Sequence, residues 1–235
     1  MEREPVLRLR DVSFSYRPQS RLIPQPTRQV FRSLSFDLFD GESLGIIGRN
    51  GSGKSSLLRL IARIVEPTTG TLWVRSGATT ALLSLGLGFR ADLSGRDNAL
   101  LAAMLQGFSK KDAKALLDGV NDFAELGSAF DDPVKTYSAG MRARLGFASA
   151  VLAEVDILLI DEVLSVGDAH FRDKAMNVLQ QRIRGEQTVV FVSHAPAHVR
   201  SLCDRAIWIE KGEVAADGAP EAVLGKYDGF MKSLG

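Results

Sequence analysis

The chain has one cysteine, almost no charge excess and no long apolar run, and each scarcity closes off a class of protein. A single thiol, Cys203, excludes a disulfide scaffold and any cysteine-built metal site, and it fits a reducing compartment. The 29 Lys and Arg against 28 Asp and Glu leave a formal net charge of +1. That balance argues against a dedicated nucleic-acid binder, which advertises a basic surface. The longest stretch without a charged residue or histidine runs from Ser76 to Phe89. At about 14 residues it is shorter than the ~20 that a spanning helix needs. Met1-Glu-Arg-Glu-Pro5 has no apolar segment behind a basic start, so no secretory signal is expected.

What is present reads as an ordinary globular chain of 235 residues, 45% hydrophobic and 24% charged, with no repeat and no biased tract. Strands are expected at Val6–Phe14, Val30–Phe39 and Ser43–Ile47, with a proline-marked loop over 17–28. Lys54–Val65 carries leucines and isoleucines at helical spacing and stops before Pro67. The middle turns helical: Asp97–Gly107, a helix opened by Ser109-Lys-Lys-Asp112 and running to about Leu126, and Ser138–Ala153. From Asp156 strands and helices alternate: strand Ile157–Ile160, helix Ala169–Ile183, strand Thr188–Val192, helix Pro196–Leu202, strand Ala206–Ile209. A turn, a strand and a short helix follow in 212–235. Alternation of this kind predicts a parallel sheet covered on both faces, with the helical middle inserted into one α/β domain.

Chemistry concentrates in two places. Gly48-Arg-Asn-Gly-Ser-Gly-Lys54-Ser55 matches the phosphate-binding loop in full and lies between an expected buried strand and an expected helix. Its glycines let the backbone curl so that Arg49, Asn50, Gly51, Ser52, Gly53 and their neighbours point N–H groups inward at phosphate oxygens. Lys54 supplies a point charge for the β- and γ-phosphates, and the Ser55 hydroxyl, followed by Ser56, is placed to ligate Mg2+. The bland alternative is a glycine-rich turn with a solvated lysine. The second place is Asp161-Glu162, two carboxylates at the end of the apolar run Ile157–Ile160. Ligands of parallel sheets gather beyond the carboxyl ends of strands, so Asp161 suits a metal and Glu162 the activation of a water molecule. Alone, such a pair is an ordinary solvated turn.

Three further segments carry a resemblance. Ser138-Ala-Gly-Met-Arg142 resembles the signature motif of the ABC ATPases, and Val192-Ser-His194 resembles their switch histidine. The order of loop, helical insertion, signature, acidic strand end and histidine is similar to that family across nearly the whole chain. The resemblance implies an α/β P-loop fold of the ABC ATPase type: a mostly parallel core, an antiparallel β subdomain, and an inserted helical subdomain. It implies a core over 1–89 and 155–235 and a helical subdomain over 90–154. ATP and Mg2+ would be held by the phosphate loop, by Tyr16 against adenine, by Ser55 and Asp161 at the metal, and by Ser138 and Gly140 reaching into the site of a second copy. Lys54, Glu162 and His194 would be catalytic. Read without the family, Ser138 is a helix cap, His194 a surface histidine and Tyr16 a packed loop residue.

The departures from the common pattern are specific. Tyr137 stands for a leucine, Ala139 for a glycine and Met141 for a glutamine; Ser165-Val-Gly-Asp168 replaces the usual loop, and no glutamine lies between about 80 and 92. The segments Leu85–Phe89 with Ser94-Gly-Arg-Asp-Asn98, Lys135–Phe147 and Asp161–Asp168 resemble the bacterial polysaccharide exporters. That resemblance implies an ATPase, at the cytoplasmic face of the inner membrane, that drives export of a lipid-linked polymer. O-antigen, the polymer of lipopolysaccharide, is favoured by the 82–98 stretch over capsule or teichoic acid. It implies a membrane permease as partner, docked near Leu83–Asp97, where Leu85, Leu87, Phe89 and Leu93 offer apolar surface. The chain is expected to lack the C-terminal carbohydrate-binding domain of some O-antigen ATPases. An exporter of another substrate, a soluble ABC-type switch, and a binding module without hydrolysis remain alternatives.

Overall fold

The computed structural model describes residues 4–16, 28–83, 88–152, 155–161, 168–193 and 195–234. The chain divides into two compact units, residues 1–78 with 183–235, and residues 79–182.

In the first unit, β1 (Pro5–Tyr16) and β2 (Arg28–Phe39) form a long antiparallel pair, and β4 (Thr69–Val74) lines the other edge of β1. Alternate residues of β1 and β2, among them Leu7, Leu9, Leu34, Phe36 and Leu38, are buried, which is the two-residue period of a half-covered sheet. β3 (Ser43–Ile47) and β7 (Thr188–Val192) are buried at every position, as strands covered on both faces must be. β3 pairs in parallel with β7 on one side and with β8 (Arg205–Glu210) on the other, and β9 (Glu213–Gly218) returns antiparallel to β8. The strands of this unit thus run β4-β1-β2-β9-β8-β3-β7. Helix α1 (Lys54–Ile61) follows β3, α6 (Pro196–Leu202) follows β7 and α7 (Pro220–Ser233) closes the unit. A β-carbon at Gly45 would lie 2.5 Å from Val199 Cγ1, so α6 packs directly on the β3 backbone.

The second unit pairs β5 (Thr80–Leu83) in parallel with β6 (Ile157–Asp161). Helices α2 (Gly95–Leu105), α3 (Lys110–Ala124) and α4 (Ala139–Val151) pack around Leu117, Val120, Phe130, Val134, Tyr137 and Leu145. Helix α5 (Ala169–Arg184) buries Phe171, Ala175 and Leu179. All three helices of the inserted region start at a serine: Ser94, Ser109 and Ser138 each accept the backbone N–H three residues on.

The expected strands and helices are present with their ends shifted by a few residues. Helix α1 stops at Ile61, short of Val65, because Arg63 takes a left-handed φ of 56°. Two strands escaped the sequence reading. β4 is mostly exposed, so Thr69-Gly-Thr-Leu-Trp-Val74 lacks the apolar alternation of a covered strand, and β5 has only four residues. Among the described residues no helix is long and apolar enough to cross a membrane.

Candidate nucleotide site

The turn after β3 is built for close approach. Gly48, Gly51 and Gly53 have φ of 156°, 80° and 100°, values that L side chains rarely adopt. Space excludes side chains at two of them as well. A β-carbon at Gly48 would collide with the Ile209 carbonyl oxygen, and one at Gly53 would lie 2.5 Å from Val30 Cγ1. At Gly51 nothing stands within 4 Å, so there only the backbone conformation demands glycine. Gly53 caps α1 without a side-chain acceptor, and no acidic residue sits in the first turn. The first N–H groups of α1 therefore face outward with the positive end of the helix dipole behind them.

Lys54 is only 5% exposed, and its Nζ donates to the carbonyl oxygens of Gly48 (2.8 Å) and Arg49 (3.1 Å). The ammonium is thus folded back across the loop. Beside it the Ser52 hydroxyl oxygen is buried and, among the described residues, has no hydrogen-bond partner. A cleft of about 330 Å3 opens over the loop between Asn50 and Ser56, with Tyr16 and β2 residues Arg28–Val30 as its other wall. The Tyr16 ring stands edge-on to Phe14 with centroids 4.8 Å apart, and its hydroxyl lies 3.2 Å from Ser56 Oγ. Arg59 donates to the same hydroxyl at 3.4 Å. A helix N-terminus without an acidic residue, a buried ammonium and an exposed aromatic face suit a nucleotide polyphosphate, and the Ser55 hydroxyl at the cleft suits a phosphate-bound Mg2+.

The first unit thus brings Tyr16 to one cleft with Asn50, Gly51, Gly53, Lys54, Ser55 and Ser56, whereas Gly48, Arg49 and Ser52 belong to the same loop without lining that cleft. Arg49 also reaches Glu210 at the end of β8, 3.8 Å away. The sequence reading missed Arg28, Gln29 and Val30 as cleft residues. It took Arg28 as the end of a loop, and only the strand register sets it opposite Tyr16.

In the second unit, Ser138 is exposed at the N-cap of α4, its Oγ accepting the Met141 N–H at 3.1 Å. Gly140 lies in the first turn, and a β-carbon there would meet nothing closer than Ser138 Oγ at 3.8 Å. Tyr137, unlike a leucine, needs a partner for its buried hydroxyl, and it donates to the Ala129 carbonyl at 2.5 Å. Burial pushes its pKa up. Gly95 is required beside it, because a β-carbon there would run into that hydroxyl. Asp161 ends β6, half-buried. Glu162 and His194 lie outside the described residues, as do Leu85 and Leu87.

The same unit explains Ser94-Gly-Arg-Asp-Asn98. Asn98 is buried and braces the preceding turn: its Nδ2 donates to the carbonyls of Arg90, Leu93 and Ser94, and its Oδ1 accepts from the Arg90 N–H at 2.7 Å. Arg96 pairs with Asp131 at 2.6 Å. This frame holds Phe89 and Ala91 along one side of a cleft of about 490 Å3, opposite Val134, Lys135 and the first turns of α4.

Residues 31–165 match the ABC transporter family model. The chain is 37% identical over 95% of its length to the O-antigen export system ATP-binding protein RfbB of Klebsiella pneumoniae, covering 90% of that protein. It is 40% identical over 86% of its length to the teichoic acids export ATP-binding protein TagH of Listeria innocua, and 44% identical over 84% to RfbB of Myxococcus xanthus. Of these two longer relatives it spans 60% and 45%. Its fold matches a dimeric structure of a post-hydrolysis state of the ATP-binding cassette MJ0796 bound to ADP and Pi, with a TM-score of 0.73 at 20% identity, covering 91% of this chain and 98% of that one.

Proposed function

The chain belongs to the ABC transporter family, and from that membership we propose that it is the ATP-hydrolysing subunit of an exporter of lipid-linked polysaccharide. The observation that carries the ATP reading is the Gly48–Ser55 loop, with the Lys54 ammonium folded over it and the buried Ser52 hydroxyl without a partner among the described residues. The polymer reading is supported by relatives named for O-antigen and teichoic acid export, and O-antigen is favoured.

ATP would lie in the cleft with adenine against Tyr16, a flat face that holds a base without reading it closely. Loop amides and Lys54 would take the β- and γ-phosphates, with Ser55 and Asp161 at Mg2+. When bound, the metal neutralises phosphate charge as the terminal phosphoryl group transfers. Glu162 takes a proton from water as the water oxygen bonds to the γ-phosphorus. The bond from that phosphorus to the bridging oxygen breaks, and ADP leaves with the electron pair. His194 donates a hydrogen bond to the γ-phosphate and steadies Glu162 with its water.

Two copies would enclose two nucleotides, each loop facing Ser138 and Gly140 of the other copy. Residues 90–154 would act as the helical subdomain that carries this surface. The cleft beside Phe89 would receive a cytoplasmic segment of a membrane permease, which would hold the chain peripherally at the inner face of the inner membrane. The polymer would be reached through the permease, and no nucleic acid is involved.

Hydrolysis by the purified protein is the direct test. Glu162→Gln should bind MgATP and accumulate as a closed dimer without turnover; undiminished turnover would remove Glu162 from its role. Deletion of the gene should leave lipid-linked polymer inside the cell. Normal surface polymer after deletion would refute the export reading.

A further inference from the structure

The wall of the nucleotide cleft opposite the phosphate loop holds a cation that the reading above does not use. Arg28 opens β2 and is the register partner of Tyr16, the last residue of β1. Residues directly opposite in an antiparallel pair present their side chains on the same face, and both of these line the cleft. Elsewhere in this unit Arg10, Arg49, Arg75 and Arg205 each pair with a carboxylate. The Arg28 side chain is exposed and makes no ion pair and no hydrogen bond among the described residues, which do not include 17–27. An exposed guanidinium at a cleft wall is a ready partner for phosphate, which it can grip with two parallel N–H groups.

Position selects the phosphate. Lys54 Nζ lies on the Gly48 and Arg49 carbonyls, at the start of the loop. Tyr16 is tied through its hydroxyl to Ser56, at the loop's far end, past Ser55. A base stacked on Tyr16 places ribose and α-phosphate next to Ser56, and the residue across from Tyr16 is Arg28.

We propose that Arg28 binds the nucleotide at its α-phosphate, forming with Tyr16 a clamp on the adenosine end that complements Lys54 on the terminal phosphates. The proposal rests on the ATP-binding reading, and one titration separates the two. Dissociation constants for ATP and for ADP would be measured by calorimetry on the wild type, Arg28→Gln, Arg28→Lys and Lys54→Ala, with melting temperatures as a check of folding. Because the α-phosphate is common to ATP, ADP and AMP, Arg28→Gln should weaken all three, AMP being titrated alongside, by the same factor, on the order of tenfold for one lost charged contact. A loss that spares AMP would put the guanidinium at the β-phosphate and overturn the proposal. Arg28→Lys should recover part of the loss, since it keeps the charge without the planar fork. Unchanged affinities in Arg28→Gln would overturn the proposal, and so would a loss confined to ATP, which would put the guanidinium at the γ-phosphate. A wild type that binds neither nucleotide would overturn the ATP reading and this proposal with it.

Discussion

Lys54 and Gly48 are joined across the phosphate loop, the lysine ammonium donating to the glycine carbonyl at 2.8 Å while almost wholly buried. The loop is therefore held closed by the group proposed to meet the phosphates. On the proposed reading, nucleotide binding would exchange some of these ammonium hydrogen bonds from carbonyl to phosphate oxygen.

Lys54→Ala removes that charge and leaves two carbonyls without it. ATP binding should fall below detection in calorimetry, while the urea midpoint shifts by no more than the loss of one or two hydrogen bonds, about 1–3 kcal/mol. Full-affinity binding by this variant would take Lys54 out of the site.

Gly140 separates a binding role from a folding role. Its β-carbon position is open, and alanine is favoured over glycine inside a helix by about 1 kcal/mol. Gly140→Ala should melt no lower than the wild type. If the first turn of α4 meets the nucleotide of a second copy, the added methyl should depress ATPase activity and dimer formation at least tenfold, on the order of the 1.4 kcal/mol that one poor contact costs. Full activity at unchanged stability would show that nothing approaches Gly140.

Phe89 tests the docking cleft. It is half-buried against the helical core and lines the space between residues 91 and 143. Phe89→Asp should keep soluble ATPase activity and abolish polymer export, measured as surface polymer in cells. Intact export would place the permease elsewhere.

Arg205 holds the first unit together. It donates to Glu42 at 2.7 Å, to Asp217 at 2.6 Å and to the Asp37 carbonyl at 2.8 Å, with Glu42 buried. Removing one partner of a buried pair strands the other, at about 3–5 kcal/mol. Arg205→Met should lower the unfolding free energy by that order in urea titration, and the double change Arg205→Met, Glu42→Leu should return part of it.

Cys203 should be silent toward alkylating reagents in the folded protein. Burial pushes its thiol up to about 12 from an ordinary 9.0. Between those values the folded state keeps a proton that the unfolded state has lost. Its contribution to stability is complete below pH 9 and declines as pH rises toward 12. Iodoacetamide at pH 8 should label the protein only after denaturant is added; rapid labelling of the native protein would show that the site opens.

The glycine-rich loop, the serine caps at Ser109 and Ser138 and the strands β3 and β7 were legible in the sequence for one reason: each depends on groups within a few residues of one another. A glycine at φ 100°, a serine oxygen reaching an N–H three residues on, or an unbroken apolar run leaves its mark on adjacent letters. Even so, the family resemblance was needed to make an acidic strand end and a lone histidine candidates for catalysis. Other features had no local mark. β4 is an exposed edge whose composition follows solvent, not the strand period. Tyr137 departs from the common leucine because its hydroxyl meets Ala129 across a turn, and Gly95 exists to leave room for that hydroxyl. Arg205 finds Glu42 across 163 residues of chain. Arg28 became a cleft residue only when the β1–β2 register set it against Tyr16. Short-range hydrogen bonding and burial period are properties of a segment. Register, long-range pairing and the walls of a cleft are properties of how segments pack, so the folded chain had to decide them.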